Sequence, residues 1–586
     1  MINFRDMKIF RTLLTLTALV ALASCTGIES VTSPEPPKIV LEGDEPIYRV
    51  KVGEPLTLSP TVQNAGDDAA YRWTIEGKVV GTEPQYTYVG DEAGQVYIMF
   101  EVVNDAGQDQ AEMMVEVMPL NAPVITLAVP EDGYSVLLGT DLVLEPLVDN
   151  AEGASFLWTV DGQEVAETQN YTFSGDTPGE YAFRFSVTNE DGEDSVEFSV
   201  VVKTEAEMDF IWSFEQHEYN VTVGRTVYIR PYYIEGAFDA TYSWTVDGEA
   251  VEPSDVDLTY TGIEPAALLA FTPEEERTYD ICLTMTNSYG TSSASFTVNG
   301  CPQEGTYRRA TSADSSADCN RVYEFLAAPG QFVNERYTAL TSEEACAYAE
   351  ERFASDAFIS LGAFGGYVVV GFDHSIENDG GYNIRIEGNS LTNSSEPGIV
   401  WVMQDENGNG LPDDTWYELK GSEYGAEGSR LDYAVTYYRP SAPGQPVAWT
   451  DNEGGSGEID YLSSFHRQDY YYPLWVSEDS YTIVGRRLRP RTVQNGSVWE
   501  NQDYDWGYAD NFSTSDRLTG DGNTGGGVNA NHFKIDNAVT FDGRPANLAY
   551  IDFVKIQTGV QAKAPSIGEV STEVYGVSDY NLIKNN

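Results

Sequence analysis

The sequence predicts an all-β chain: three tandem sandwich modules followed by one large β-sandwich of jelly-roll type. Two observations carry this. Short runs alternate apolar and polar residues with period two, separated by Asn/Asp/Gly turns, as in Tyr181-Ala182-Phe183-Arg184-Phe185-Ser186-Val187. A Trp-centred phrase also returns three times. Tyr71-Arg72-Trp73-Thr74-Ile75-Glu76-Gly77 is repeated as Phe156-Leu157-Trp158-Thr159-Val160-Asp161-Gly162 and as Tyr242-Ser243-Trp244-Thr245-Val246-Asp247-Gly248.

Residues 1–24 carry Arg5, Lys8 and Arg11 ahead of an apolar run from Leu13 to Ala23, too short for a permanent span and fitting a secretory signal. Leu22-Ala23-Ser24-Cys25 resembles a bacterial lipobox, which implies lipidation of Cys25 and anchoring to a membrane. Residues 25–37 read as a Pro-rich tether, and the repeats follow at 38–120, 121–204 and 207–300. In each, the Trp is expected to fill the core between two sheets. Each copy also carries a second mark: Asn104-Asp105-Ala106-Gly107, Asn189-Glu190-Asp191-Gly192 and Asn287-Ser288-Tyr289-Gly290. Residues 301–340 are read as a junction. A helix is expected from Thr341, where Thr341-Ser342-Glu343-Glu344 forms a capping box ahead of Ala345, Ala349 and Phe353. Strands and Gly-rich loops then run to the C-terminus, making 341–586 the candidate ligand-binding domain.

Charge excludes several functions. There are 93 Asp and Glu against 33 Lys and Arg, a formal −60, and no basic residue lies between Lys78 and Arg184. Nucleic-acid backbones and anionic lipid need a cationic surface, so both are excluded as partners. Only four histidines occur, none close to another, so a His-rich metal site or a hydrolase triad starts without support. In so acidic a chain some carboxylate pair always stands at a glycosidase separation, so composition gives catalysis no support either. We expect no enzyme. Export implies an oxidising compartment. Of Cys282, Cys301, Cys319 and Cys346, the pair Cys301 and Cys319 is the easiest to close, and Cys346 reads equally as a buried thiol.

Three motifs bear on binding. In residues 405–418, Asp405, Asn407 and Asn409 stand at alternate positions before Gly410, with the Leu411 carbonyl and Asp413 next. Such oxygen spacing lets a loop curl round Ca²⁺. Trp416 occupies the place of the usual closing Glu, so Glu418 or Asp414 would complete a structural calcium site; the alternative is an Asx-rich turn. Aromatic residues cluster at Tyr470, Tyr471, Tyr472 and Trp475, and again at Trp499, Tyr504, Trp506 and Tyr508. Three consecutive tyrosines in a strand cannot all face inward, so these rings are candidates for a ligand platform, with core packing the alternative. Arg486-Arg487-Leu488-Arg489-Pro490-Arg491 is the one concentrated positive run, and pairing with the chain's own carboxylates is the favoured reading.

The Trp-Thr-(Val/Ile)-(Asp/Glu)-Gly phrase with its Asn-x-x-Gly turn resembles PKD-like, immunoglobulin-type domains of bacterial surface proteins. A stalk holding the terminal domain away from the membrane is the favoured reading of these repeats, with ligand or cell adhesion the alternative. Ala328-Pro329-Gly330-Gln331-Phe332, residues 365–375, the 405–418 loop and residues 551–559 resemble the C-terminal domain of PKD-like cell-surface lipoproteins of Bacteroidota. That resemblance implies an outer-membrane, lipid-anchored protein, displayed at the cell surface. It would capture a cobamide (vitamin B12) for a TonB-dependent transporter. Residues 305–586 are expected to suffice for binding, because the aromatic clusters, the Arg run and the 405–418 motif all lie beyond residue 400. A glycan-binding protein or adhesin on an Ig-like stalk is the competing reading. The resemblance carries no binding residue onto this chain.

Overall fold

The computed structural model describes residues 35–41, 47–253, 264–518, 528–564 and 567–584. Cys25 and its lipobox lie outside them. Among the described residues, no helix is long and apolar enough to cross a membrane. The chain forms two compact units, residues 1–121 and residues 122–586.

All three repeats use one plan. A five-stranded sheet is built on a long hairpin, Gly94–Asn104 with Gly107–Met118 in the first copy. Gly179–Asn189 with Gly192–Lys203, and Thr278–Thr286 with Thr291–Cys301, do the same in the others. Each sheet ends on a parallel strand, such as Ile47–Lys51 against Gly107–Met118. The recurring sequence phrases do identical work in each copy. Trp73, Trp158 and Trp244 are fully buried, and each indole N–H donates to a loop carbonyl: Glu83 at 2.8 Å, Thr168 at 3.0 Å and Ala266 at 3.0 Å. A large apolar body with its polar atom satisfied suits a core centre. The dipeptides Glu76-Gly77, Asp161-Gly162 and Asp247-Gly248 all have φ near +50° and then near +75°. Both residues at positive φ is what a tight two-residue hairpin requires. The Asn of each Asn-x-x-Gly turn accepts the two following turn N–H groups at 2.9–3.1 Å.

The C-terminal sandwich is antiparallel. We number the strands of its central sheet β1 (Arg321–Leu326), β2 (Tyr367–Glu377), β3 (Gly398–Met403), β4 (Tyr417–Leu419), β5 (Ala538–Val539) and β6 (Tyr550–Thr558). Their order across the sheet is β1-β2-β6-β3-β4-β5. One face, with Val368, Val370, Val400, Val402, Val554 and Ile556, is core. A four-stranded sheet, Ser456–Ile459, Val447–Asp451, Arg430–Tyr438 and Ser480–Arg487, and a three-stranded one complete the domain. The expected helix is Ser342–Ala354, capped by Thr341 and burying Ala345 and Ala349.

Two expectations are corrected. The segment 301–340 is not a loose junction: β1 is an edge of the central sheet, and Phe325, Ala328 and Val333 are core. Cys282, Cys301, Cys319 and Cys346 are all free thiols, so the Cys301–Cys319 bridge is absent. Cys301 ends the last strand of repeat three while Cys319 packs against the C-terminal core, each serving as a small apolar residue.

Candidate functional site

The outer face of the central sheet carries one row of side chains fixed by register. Glu324 faces Val369, Val369 faces Lys555, Lys555 faces Trp401, and Trp401 faces Glu418. A solvent-facing row would be unremarkable, but repeat three covers this one. The result is a cavity of about 540 Å³ between the third repeat and the C-terminal domain. Phe214, Glu215 and Tyr232 line it from the repeat, and Trp401, Trp416 and Lys555 from the domain.

Lys555 is its centre. The ammonium sits 5.0 Å from the Trp416 ring, 5.1 Å from Trp401 and 5.9 Å from Tyr367, within cation–π range of all three. Loss of hydration lowers its pKa below the ordinary lysine value, opposed by Glu215 and Glu324. Tyr367 donates to Glu324 at 2.9 Å. Two buried donors bordering the cavity, Trp401 Nε1 and Arg486 Nη1, find no acceptor in the protein. A buried unpaired donor is costly, so these two favour an acceptor supplied from outside.

Repeat three is held here by polar contacts. Arg230 donates two hydrogen bonds to Asp432, at 2.7 and 2.6 Å, with its guanidinium 3.8 Å from the Phe541 ring centre. Arg544 donates to the Tyr228 hydroxyl at 2.9 Å. Arg225 pairs with Glu304 at 2.9 Å.

The 405–418 loop adjoins the same interface. The Asp405 carboxylate accepts from the N–H groups of Gly408 (2.8 Å) and Gly410 (3.1 Å). Asn407 and Asn409 both donate to Asp413, at 3.1 and 2.8 Å, and Asn409 accepts from the Leu411 N–H. Gly408, at φ +76°, lies against the Tyr307 ring, where any Cβ would approach to 2.5 Å. Glu418 does not join them: it is buried in an ion pair with Arg486 at 2.7 Å, because it lies on β4 beyond the loop. Asp414 instead keeps a buried oxygen, Oδ1, without a partner, and burial pushes its carboxyl up to about 9. The side-chain oxygens of Asp405, Asn407, Asn409 and Asp413 are thus engaged within the turn, as the Asx-rich reading expects, while Asp414, and not Glu418, keeps a free buried oxygen. The loop also grips repeat three: Asn220 donates to the Asp413 carbonyl at 3.0 Å, and the Thr222 N–H donates to Glu406.

The aromatic platform expected from the sequence is not there. Tyr471, Tyr472, Trp475, Tyr504 and Tyr508 are all buried. Their hydroxyls are spent inside the protein, Tyr472 on the Glu478 carbonyl and Tyr504 on the Arg489 carbonyl, both at 2.8 Å. The physical reason is that residues 470–475 form no strand, so alternation does not apply and neighbouring rings both turn inward. Tyr470, Trp499 and Trp506 are half-buried, and none lines the cavity. The arginine run behaves as the favoured reading expects: Arg486, Arg487 and Arg489 pair with Glu418, Glu453 and Glu423. Reading missed the cavity because its rings are scattered over the chain, from Phe214 to Phe541.

Residues 36–104 and 122–189 match the PKD-like domain family. Such immunoglobulin-like domains are structural or binding modules. The two matches coincide with the first and second repeats, and the third has the same strand plan. No curated protein matches the chain. Among solved structures similar to it is the I-band fragment I67–I69 from titin, at 15% identity over 45% of this chain and 98% of that one, with a TM-score of 0.21. Extracellular domains 3–5 of Drosophila OTK match at 12% identity over 46% and 98%, with a TM-score of 0.17. Fibronectin(III)-like modules of Clostridium thermocellum CbhA match at 13% identity over 30% and 97%, also with a TM-score of 0.17.

Placement in the core sets an expectation for Trp475. Trp475→Ala should cost about 3–5 kcal/mol of stability in urea unfolding, through lost burial and a cavity. A loss below about 1 kcal/mol, within the range of surface substitutions, would return the ring to the surface.

Proposed function

We propose that this chain is a lipid-anchored outer-membrane surface protein that captures an extracellular nutrient and passes it to a TonB-dependent transporter. It acts by binding and not by catalysis. The observation carrying the binding reading is the aromatic cavity around Lys555, whose volume of about 540 Å³ falls in the ordinary range for small-ligand sites. Aromatic rings, the Lys555 ammonium, two unsatisfied donors on Trp401 and the Arg486 guanidinium, and the carboxylates of Glu215 and Glu324 suit a ring-bearing ligand rich in acceptor oxygens. The ligand class comes from the resemblance of the C-terminal segment, which implies a cobamide. A corrinoid with its nucleotide arm exceeds the cavity, so one arm would be buried and the macrocycle would rest at the mouth. The volume itself favours a second reading, a glycan, because one or two sugar rings would fit whole. Calcium, held by the 405–413 donors and Asp414, is proposed as a structural ion. The anchor rests on the Leu22–Cys25 phrase.

Titration of the mature chain with cyanocobalamin should give saturable binding, and Trp416→Ala should weaken it by about five- to 150-fold, the worth of one stacking ring at about 1–3 kcal/mol. Residues 305–586 alone should bind far more weakly, since one cavity wall belongs to repeat three. A folded mature chain that ignores cobamides at micromolar concentration but retains a glycan on an array would move the assignment to the second reading.

For calcium, Asp405→Ala combined with Asn409→Ala should lower the melting temperature in calcium and leave it nearly unchanged in chelator, because an ion that binds only the folded state stabilises it by mass action. Equal losses in both conditions would make the loop a turn alone. For the anchor, Cys25→Ser should release the protein from membranes or leave it unprocessed; unchanged fractionation with detergent would refute lipidation.

A further inference from the structure

Three carboxylates meet inside the C-terminal sandwich, away from the cavity and the 405–418 loop. Glu396 precedes β3, Asp510 lies in the loop after Tyr508, and Glu573 opens the short strand Glu573–Val574, which pairs with Ile359–Ser360. One carboxylate oxygen from each lies within 4.8 Å of the others. Asp510 is wholly buried and Glu573 is 4% exposed. The cluster is built, not accidental. Both Asp510 oxygens are aimed by backbone N–H groups, from Asn389 at 2.9 Å and Glu573 at 3.0 Å, and the Glu396 N–H donates to the Asp510 carbonyl at 3.0 Å. Gly388 leaves room for it, since a Cβ there would stand 2.6 Å from Asp510 Oδ1.

Two observations call for a bound cation. Glu573 Oε1, in the buried member of the cluster, has no hydrogen-bond partner. Among the described residues, no Lys, Arg or His forms an ion pair with any of the three. Three carboxylates this close, two of them buried and Glu396 partly so, cannot all ionise without positive charge among them. The donors are all oxygen, with no Cys or His, which selects a hard ion over zinc or copper. We propose that Glu396, Asp510 and Glu573 hold a hard divalent cation, of the calcium or magnesium class, that ties β3, the 509–511 loop and the C-terminal segment together. This site is independent of the ligand reading and of the loop site.

Protonation is the competing way to neutralise the cluster. Burial raises all three, Glu573 most, where the Glu396 and Asp510 charges and a side-chain hydrogen bond with Glu396 add to the effect. Glu569 faces Glu396, and the Tyr575 phenol faces Glu573 and Asp510, so neither supplies positive charge. A carboxyl whose folded pKa is raised contributes stability that is present below its unfolded value and is lost as pH rises through the folded one. Metal-free protein should therefore lose stability as pH rises above the ordinary carboxylate range, and a cation should restore it there.

The test uses the mature chain carrying Asp405→Ala and Asn409→Ala, which disables the loop site, freed of metal and then given CaCl₂, MgCl₂ or MnCl₂ alone. We expect one bound equivalent by calorimetry and metal analysis, with a melting temperature raised at pH 8 and hardly changed at pH 5. Adding Glu573→Gln should weaken that binding by at least about tenfold, as loss of a ligand does; Asp510→Asn is the second variant should the first misfold. If no cation binds or raises the melting temperature at pH 8, while stability still falls from pH 5 to pH 8, the three groups share protons and the proposal is wrong. If the loop-intact chain binds one equivalent and the loop-disabled chain none, the loop site stands and this one falls.

Discussion

The contact on which the rest depends is the buried bidentate pair between Arg230 of the third repeat and Asp432 of the C-terminal sandwich. Asp432 is 5% exposed and the Arg230 side chain 17%, so both charges have lost most of their water, and their attraction must repay that loss. Planar, paired hydrogen bonds and a stacked Phe541 ring supply what a single-point contact would not. Removing either partner would strand the other, at a cost of about 3–5 kcal/mol. The pair therefore fixes the repeat in one place. The cavity exists only because that place lies over the Glu324–Glu418 row of the sheet.

Repeat three is thus less an isolated sandwich than one wall of the cavity. Its strand Glu218–Thr222 is buried at four of five positions, whereas Ile47–Lys51 of the first repeat is buried at one. The sequence held the signal. Leu56-Thr57-Leu58-Ser59-Pro60-Thr61 and Leu142-Val143-Leu144-Glu145-Pro146-Leu147 correspond to Val227-Tyr228-Ile229-Arg230-Pro231-Tyr232. The inward residues stay aliphatic in all three. The outward ones change from Thr57, Ser59 and Thr61 to Tyr228, Arg230 and Tyr232. Large rings and an Arg at positions that elsewhere meet solvent are what a docking face needs.

What could be read from sequence was what local geometry alone decides. A Trp in the core, Asp-Gly at a two-residue turn and Asn closing the next turn are each fixed within about ten residues, so repetition made them legible. The candidate site was decided over hundreds of residues. A strand through residues 470–475 would turn one of Tyr471 and Tyr472 outward; the irregular backbone there breaks the alternation, and both rings are buried. Trp401 and Trp416, which border the cavity, sat in segments valued for strand and cation patterning. Glu418, a candidate ligand by spacing, was claimed by Arg486, 68 residues away.

The 405–418 loop and the cavity are one construction. Pro412, Asp414, Thr415 and Trp416 form part of the cavity wall, while Asp405, Asn407, Asn409 and Asp413 shape the turn just before them. The Asp413 carbonyl and the Glu406 carboxylate accept hydrogen bonds from repeat three. Ordering the loop would thus act on both walls at once, setting the Trp416 ring beside Lys555 and bracing the repeat over it. In a chain of formal charge −60, a cation at this junction also relieves repulsion among Asp405, Glu406, Asp413 and Asp414. The acidity that leaves little cationic surface for a polyanionic partner would also favour a hard cation at such a junction.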